Sequence, residues 1–229
     1  LALSAVRRSE QNRVWVGLAK ETAHQLGTPI SGIMAWVELL RAEHENNPEL
    51  IEVADELARD ADRLQLVADR FNKIGSTPEL TPIPLDELLG EVYDYMVRRA
   101  PRKVEFTVDV EKAFAKTPVA VNRHLFAWVL ENLIRNALDA MDGQGRLQLN
   151  GTVDGKYAEI HVVDSGKGIP ANKRKTVFRP GYTTKKRGWG LGLSLAKRIV
   201  EEYHGGKIFV KDSALGRGTT FAVRIPVSP

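Results

Sequence analysis

Apolar residues fall at Leu26, Ile30, Ile33, Val37 and Leu40, in alternating steps of four and three. That spacing is the seam of a helix packed in a bundle. With these residues at heptad positions a and d, His24 falls at b, Gln25 at c and Thr28 at f, on the face turned away from the seam. A histidine displayed there is free to react, although surface histidines are as often idle. Residues 1 to about 45 read as one long helix with Pro29 inside it. Proline lacks an amide donor and crowds the carbonyl four residues back, here that of Gln25, so a bend is expected just after His24. Asn46-Asn47-Pro48 is a turn, with Pro48 placed to open the next helix. Leu50, Ala54, Leu57, Ala61, Leu64, Ala68 and Phe71 then keep an unbroken heptad seam. Two such helices make an antiparallel hairpin that buries one side of each. A second copy completes a four-helix bundle, so a homodimer through the hairpin is the expected state.

Gly75-Ser76-Thr77-Pro78, followed by Pro82 and Pro84, breaks this periodicity. We place a linker at 76–82, between a hairpin domain at 1–75 and a second domain at 83–229. The second domain mixes elements. Helices are expected over Leu85 to Arg99, Val121 to Met141 and Leu191 to Tyr203. Strands are expected at Val104 to Val110, Arg146 to Val153 and Tyr157 to Asp164, with a closing hairpin of Lys207 to Asp212 and Thr219 to Ile225. Many antiparallel neighbours and no β-α-β alternation point to an α+β fold, an α/β sandwich with its helices on one face of the sheet.

Composition adds bounds. The 229 residues are 43% hydrophobic and 27% charged, ordinary for globular chains, with a net charge of +4. The basic residues are dispersed, which suits an anionic ligand but argues against nucleic-acid binding. There is no cysteine, hence no disulfide framework or thiolate metal site. No apolar run approaches the roughly 18 residues of a membrane span. A cytoplasmic fragment is therefore expected, with any sensor or membrane-associated segment upstream of Leu1.

Four features of the second domain converge on one kind of ligand. Asn132 and Asn136 lie one turn apart in ENLIRNALDAM. An amide oxygen is a hard, neutral ligand suited to Mg²⁺, which takes few protein ligands and keeps its waters and phosphates. Asp164-Ser165-Gly166-Lys167-Gly168 sets a carboxylate beside a backbone that can be approached closely, as binding an adenine amino group needs. Gly188-Trp189-Gly190-Leu191-Gly192 opens a helix, an anion cradle for phosphates. Between these two, Phe178 to Arg187 is a basic, glycine-bearing loop of lid-like length that includes Thr184 and Lys185. Singly, each has a bland reading as a surface pair, a turn or a packing glycine. Their order and spacing together are far more specific.

That order is the N, G1, F and G2 box sequence of the sensor histidine kinases, which the chain resembles from about Leu18 to its end. HQLGTP is similar to the family's phosphoacceptor box, and GRGTTFAVRIP to its closing strand motif. The resemblance implies a dimerisation and phosphotransfer hairpin joined to an ATP-binding domain of the gyrase, chaperone and histidine-kinase (Bergerat) fold. It implies that His24 takes a phosphoryl group from ATP and passes it to an aspartate on a response-regulator receiver domain, and that Asn136 holds Mg²⁺. Asp164 would bind adenine, Gly166 and Gly168 would shape that pocket, and Gly190 and Gly192 would cradle phosphates. Asn132, Thr184, Lys185, Gly188 and Leu191 complete the expected ATP contacts. In the superfamily's ATP-hydrolysing members the place of Asn132 holds a water-activating Glu. Glu131 is its neighbour here and points about 100° away around the helix, which favours a kinase over an ATPase.

Several positions depart from the family pattern. Most relatives carry Glu or Asp after the reactive histidine, whereas this chain has Gln25, which can orient the ring but takes no proton at neutral pH. A nucleotide-gated scaffold with weakened catalysis is therefore a second reading. Thr28 is similar to the residue that positions water for dephosphorylating the receiver. Asp139 stands where the family often has Lys or Arg, leaving phosphate charge to Lys185, Lys186, Arg179 or Arg135. Trp189 fills a place usually held by a small residue. His161 and His204 read as structural, and His44 and His124 as surface or capping residues.

Overall fold

The computed structural model describes residues 21, 25–73, 78–185 and 190–228. His24 and the bend expected beside it, the helix expected over 1–20, and Lys186, Arg187, Gly188 and Trp189 lie outside the described residues, as does the side chain of Phe71. The chain divides into two compact units, at Pro78 and Glu79.

The first unit is a helical hairpin. Helix α1 covers 25–43 and α2 runs Pro48–Lys73. Asn47 begins α2 by accepting the Leu50 amide on its side-chain oxygen at 3.3 Å, an N-cap that satisfies one of the helix's orphan donors. Ile30 and Val37 are buried against Ala54, Ala58, Ala61 and Ala68, whose small side chains let the helices approach closely. Arg41 bridges the two helices through Asp55 Oδ1 at 2.7 Å.

Each expected seam is buried only in part. Leu26, Ile33, Leu57 and Leu64 are 37%, 39%, 43% and 48% exposed, and with Val53, Trp36 and Leu39 they leave apolar surface open on both helices. The reason is geometric. An apolar stripe is at least about 100° wide, and a lone hairpin gives each helix one neighbour to cover it.

The second unit is built on a five-stranded sheet of order β2-β4-β5-β7-β6. Its strands are β2 (Lys103–Val110), β4 (Gln144–Val153), β5 (Tyr157–Asp164), β6 (Lys207–Ala214) and β7 (Gly218–Pro226). The helices are α3 (Leu85–Val97), a short α4 (Lys112–Ala115), α5 (Arg123–Ala140) and α6 (Gly192–Arg198). One sheet face, with Leu147, Leu149, Ile160, Val162, Phe221 and Val223, forms the core with Phe126, Leu130, Leu133 and Ile134 of α5. The alternation of β5 turns Glu159 and His161 to the opposite face. There Glu159 accepts from His161 Nε2 at 2.6 Å, Arg224 Nε at 2.7 Å and Lys211 Nζ at 3.0 Å.

The structure departs from the expected elements in three places. Thr81 and Pro82, expected in the linker, belong to β1 (Thr81–Pro84), which pairs antiparallel with β3 (Pro118–Val121). Pro82 and Pro84 were expected to break structure, but a two-stranded edge ribbon tolerates residues that donate nothing to the ladder. Next, β2 and β4 pair in parallel, joined by a crossover through α4, β3 and α5, so one crossover unit is present after all. Finally, the helix expected to Tyr203 stays α-helical only to Arg198 and continues as a π-turn over Ile199–Tyr203. Buried His204 closes that turn: its Nδ1 donates to Ile199 O at 2.7 Å and its Nε2 accepts the Asn122 amide at 3.0 Å. Among the described residues no helix is long and apolar enough to cross a membrane.

Candidate functional site

Helix α5 organises the site. Asn122 caps it, accepting from the Leu125 amide at 3.1 Å. Its apolar residues Leu125, Phe126, Val129, Leu130, Leu133, Ile134 and Ala137 are buried. The positions left over, 132, 136 and 139, run along a partly open face, since residues three and four apart are neighbours on a helix. Glu131 is only 8% exposed, one position around the helix from that face.

Two glycine-bearing turns close on this face. Gly192 opens α6 so near to Asn132 that a β-carbon there would lie 2.9 Å from the Asn132 oxygen. The Asn132 Nδ2 is buried and has no hydrogen-bond partner in the protein, the kind of orphaned donor that a bound ligand satisfies. Gly190, at φ +65°, lies against the backbone of Gly181 and Tyr182, and its carbonyl accepts the Gly181 amide at 3.1 Å. Leu191 between them is half-buried, and its carbonyl accepts from the Leu195 amide at 2.9 Å as α6 begins. The first-turn amides that follow have no acceptor within the helix and are available to an anion.

The second turn follows β5. Asp164, the last residue of that strand, is 4% exposed. Burial pushes its carboxyl up to about 6, while the amides of Gly166, at 2.8 Å, and Thr219 pull it back. Gly166 rests on the C-terminal end of α5, where a β-carbon would stand 2.7 Å from the Ala140 carbonyl. The Lys167 amide donates to that carbonyl at 3.0 Å. Gly168, at φ +74°, passes under the Ala214 carbonyl with room for no side chain. Asn132, Asn136, Asp164, Gly166, Gly168, Gly190 and Gly192 are thus gathered around α5.

Thr184 and Lys185 are exposed. Lys185 Nζ donates to Asn136 Oδ1 at 3.0 Å and pairs with the Asp139 carboxylate. Asp139 was read from sequence only as a missing cation. Its offset of three from Asn136 was the signal that it shares the same helix face. Among the described residues no group of three His, Cys, Asp or Glu side chains could hold a metal by itself. The Asn136 oxygen, already meeting a lysine ammonium, and the orphaned Asn132 amide instead fit a nucleotide whose phosphates share a cation with the protein.

On α1, Gln25 and Thr28 are both exposed, and Gln25 Nε2 donates to Glu21 Oε1 at 2.7 Å, one turn back. His161 and His204 are buried and hydrogen-bonded, the structural roles read from sequence. Burial lowers the His204 pKa, and the Ile199 carbonyl opposes it.

Comparison with known proteins bears directly on this arrangement. Residues 17–76 match the His Kinase A (phospho-acceptor) domain, and residues 121–229 match the family of histidine kinase-, DNA gyrase B- and HSP90-like ATPases. The catalytic domain of histidine kinase ThkA is 31% identical with a TM-score of 0.60, over 66% of this chain and 100% of that one. The sensor histidine kinase ZraS of Salmonella typhimurium is 30% identical over 98% of this chain and 48% of its own length. Full-length ShkA in complex with AMPPNP shares the fold, with a TM-score of 0.71 and 23% identity over 93% of this chain and 46% of that one. The chain belongs to the histidine kinases, joining a phospho-acceptor hairpin to an ATPase-type catalytic domain. It spans less than half the length of the curated relatives NtrY and ZraS.

Proposed function

We propose that the chain is the catalytic core of a two-component sensor kinase. Its second unit binds ATP with Mg²⁺, transfers the γ-phosphoryl group to a ring nitrogen of His24, and the phosphohistidine then passes it to an aspartate of a response-regulator receiver domain. The observation that carries this reading is the grouping around α5 of an amide oxygen, a buried carboxylate and side-chain-free turns, in a chain whose hairpin bears HQLGTP.

Each residue has a physical task. Asp164 accepts from the adenine amino group, and Gly166 and Gly168 let the ring approach the backbone. Asn136 holds the phosphate-bound cation, which neutralises charge that develops on the transferring group, and Asn132 contacts the nucleotide. Lys185 and Thr184, with Gly188, Gly190, Leu191 and Gly192, receive the phosphates. Neutral imidazole offers a lone pair to phosphorus, and Gln25 orients the ring. Thr28 positions water for removing the phosphoryl group from the receiver. Catalysis consists of positioning and charge neutralisation. The hairpin at 1–75 dimerises through its open apolar stripe, and the ATP-binding domain begins at β1.

Incubation with γ-labelled ATP tests the reading. Acid-labile, base-stable label on the protein is the expected result. Steady phosphate release without labelled protein would instead indicate an ATPase, and bound nucleotide with neither label nor release a scaffold.

A further inference from the structure

We propose that Asp139 is the second protein oxygen of the divalent-cation site, and that Lys185 is a built-in counter-cation which Mg²⁺ must displace. The proposal rests on the nucleotide-site reading above and deepens it.

One ammonium touches two oxygens here. Lys185 Nζ lies 3.0 Å from Asn136 Oδ1 and pairs with Asp139 Oδ2. Those two oxygens come from positions three apart on α5, so a single cation can meet both without movement of the helix. A neutral amide alone is a weak reason for an ammonium to sit there. The carboxylate supplies the charge. One carboxylate and one amide, completed by phosphates and water, is the kind of donor set Mg²⁺ accepts, because the ion keeps most of its shell and takes few protein ligands.

Two cations cannot share that position. When the metal arrives with a triphosphate, Lys185 loses both partners and gains the phosphate oxygens as new ones, while Asp139 stays with the metal. The sign of charge at position 139 then makes sense. It serves the metal, and the phosphate-neutralising ammonium is supplied by Lys185 from the neighbouring loop. Asp139 is exposed, so its replacement changes the site without opening the core.

The test titrates Mn²⁺ into the nucleotide-free protein, followed by loss of the free-ion paramagnetic resonance signal. It then titrates Mg²⁺ at a fixed concentration of a non-hydrolysable ATP analogue, followed by calorimetry. Asp139→Asn is expected to weaken Mn²⁺ binding and raise the half-saturating Mg²⁺ by about tenfold or more, the usual cost of losing a group that supports a metal. Analogue affinity in EDTA should not fall, since Lys185 freed from Asp139 remains available to the phosphates. Lys185→Gln is expected to tighten Mn²⁺ binding to the nucleotide-free protein several-fold, since the resident competitor is gone. An Asp139→Asn protein with unchanged or lower metal requirement overturns the proposal, because Asp139 would then only tether Lys185. Unchanged Mn²⁺ binding in Lys185→Gln overturns the displacement. A parent protein that binds no analogue at any Mg²⁺ concentration overturns the nucleotide-site reading itself.

Discussion

Gly192 lies directly over the side chain of Asn132, with room for a hydrogen and not for a methyl group. The first turn of α6 is thereby seated on the same helix face that carries Asn136. Gly192→Ala would push against the tip of one side chain, which can move aside, so the fold should tolerate it. The displaced amide should cost nucleotide affinity about tenfold with melting temperature nearly unchanged. Gly168→Ala is the contrasting case, since positive φ and a backbone carbonyl at 2.0 Å from the added carbon leave nothing able to yield. It should lower the melting temperature strongly. Calorimetric binding and thermal melts of the pair check the distinction.

The proposed adenine contact of Asp164 should make nucleotide affinity depend on pH. Its carboxyl is raised from 3.8 to about 6 by burial, against the pull of the Gly166 and Thr219 amides. The ionised form is the stronger acceptor for an adenine amino group, so analogue affinity should rise several-fold between pH 5 and pH 7, values that bracket about 6. Asp164→Asn should flatten the profile and weaken binding at pH 7. For the nucleotide-free fold the sign reverses. The folded chain holds this proton more tightly than the unfolded chain does, so the carboxyl's contribution is most favourable below 3.8 and is lost as pH rises through about 6. Melting temperatures of parent and Asp164→Asn across that window check this sign.

Glu159 behaves in the opposite way. Burial would raise its pKa, but hydrogen bonds from His161, Arg224 and Lys211 outweigh it and bring the carboxyl from 4.5 down to about 2. Its contribution to stability is present above 4.5 and is lost as pH falls through about 2. Glu159→Gln should lower the melting temperature by about 3–6 °C at pH 7 and remove this acid dependence, with nucleotide affinity unaffected because the cluster lies on the far sheet face. Acid titrations by circular dichroism, with the variant alongside, measure it.

The proposed dimer would bury the exposed leucines of α2. Leu57 and Leu64 are 43% and 48% exposed in the single hairpin. Full burial is worth about 1.5–3 kcal/mol per leucine, and two-fold symmetry counts every contact twice. Leu57→Glu with Leu64→Glu should therefore give a monomer at micromolar concentration, with helical content retained through Ile30, Val37 and the α2 alanines. Sedimentation equilibrium distinguishes this from a hairpin that needs neither leucine for association.

Much of this architecture was legible because it is periodic or rich in glycine. The α5 face, the β5 alternation ending at Asp164, and the turns at Gly166 and Gly190 all follow from local pattern. Partnership across the chain was not. Which residues of the two seams meet depends on how many helices surround each one, so Ile30 and Ile33 read alike and fall on opposite sides of the burial divide. The prolines of β1 read as breaks because only the paired ribbon gives them a place. Asp139 read as an absent positive charge, since its pairing with Lys185 spans residues that no local pattern links.

In the proposed reaction the ATP-binding domain delivers phosphorus to one imidazole, that of His24. The most direct measurement is label incorporation from γ-labelled ATP into parent and His24→Gln proteins, with analogue affinity measured on both. Equal nucleotide binding and label on the parent alone are the expected result. Equal labelling of the His24→Gln protein would contradict it.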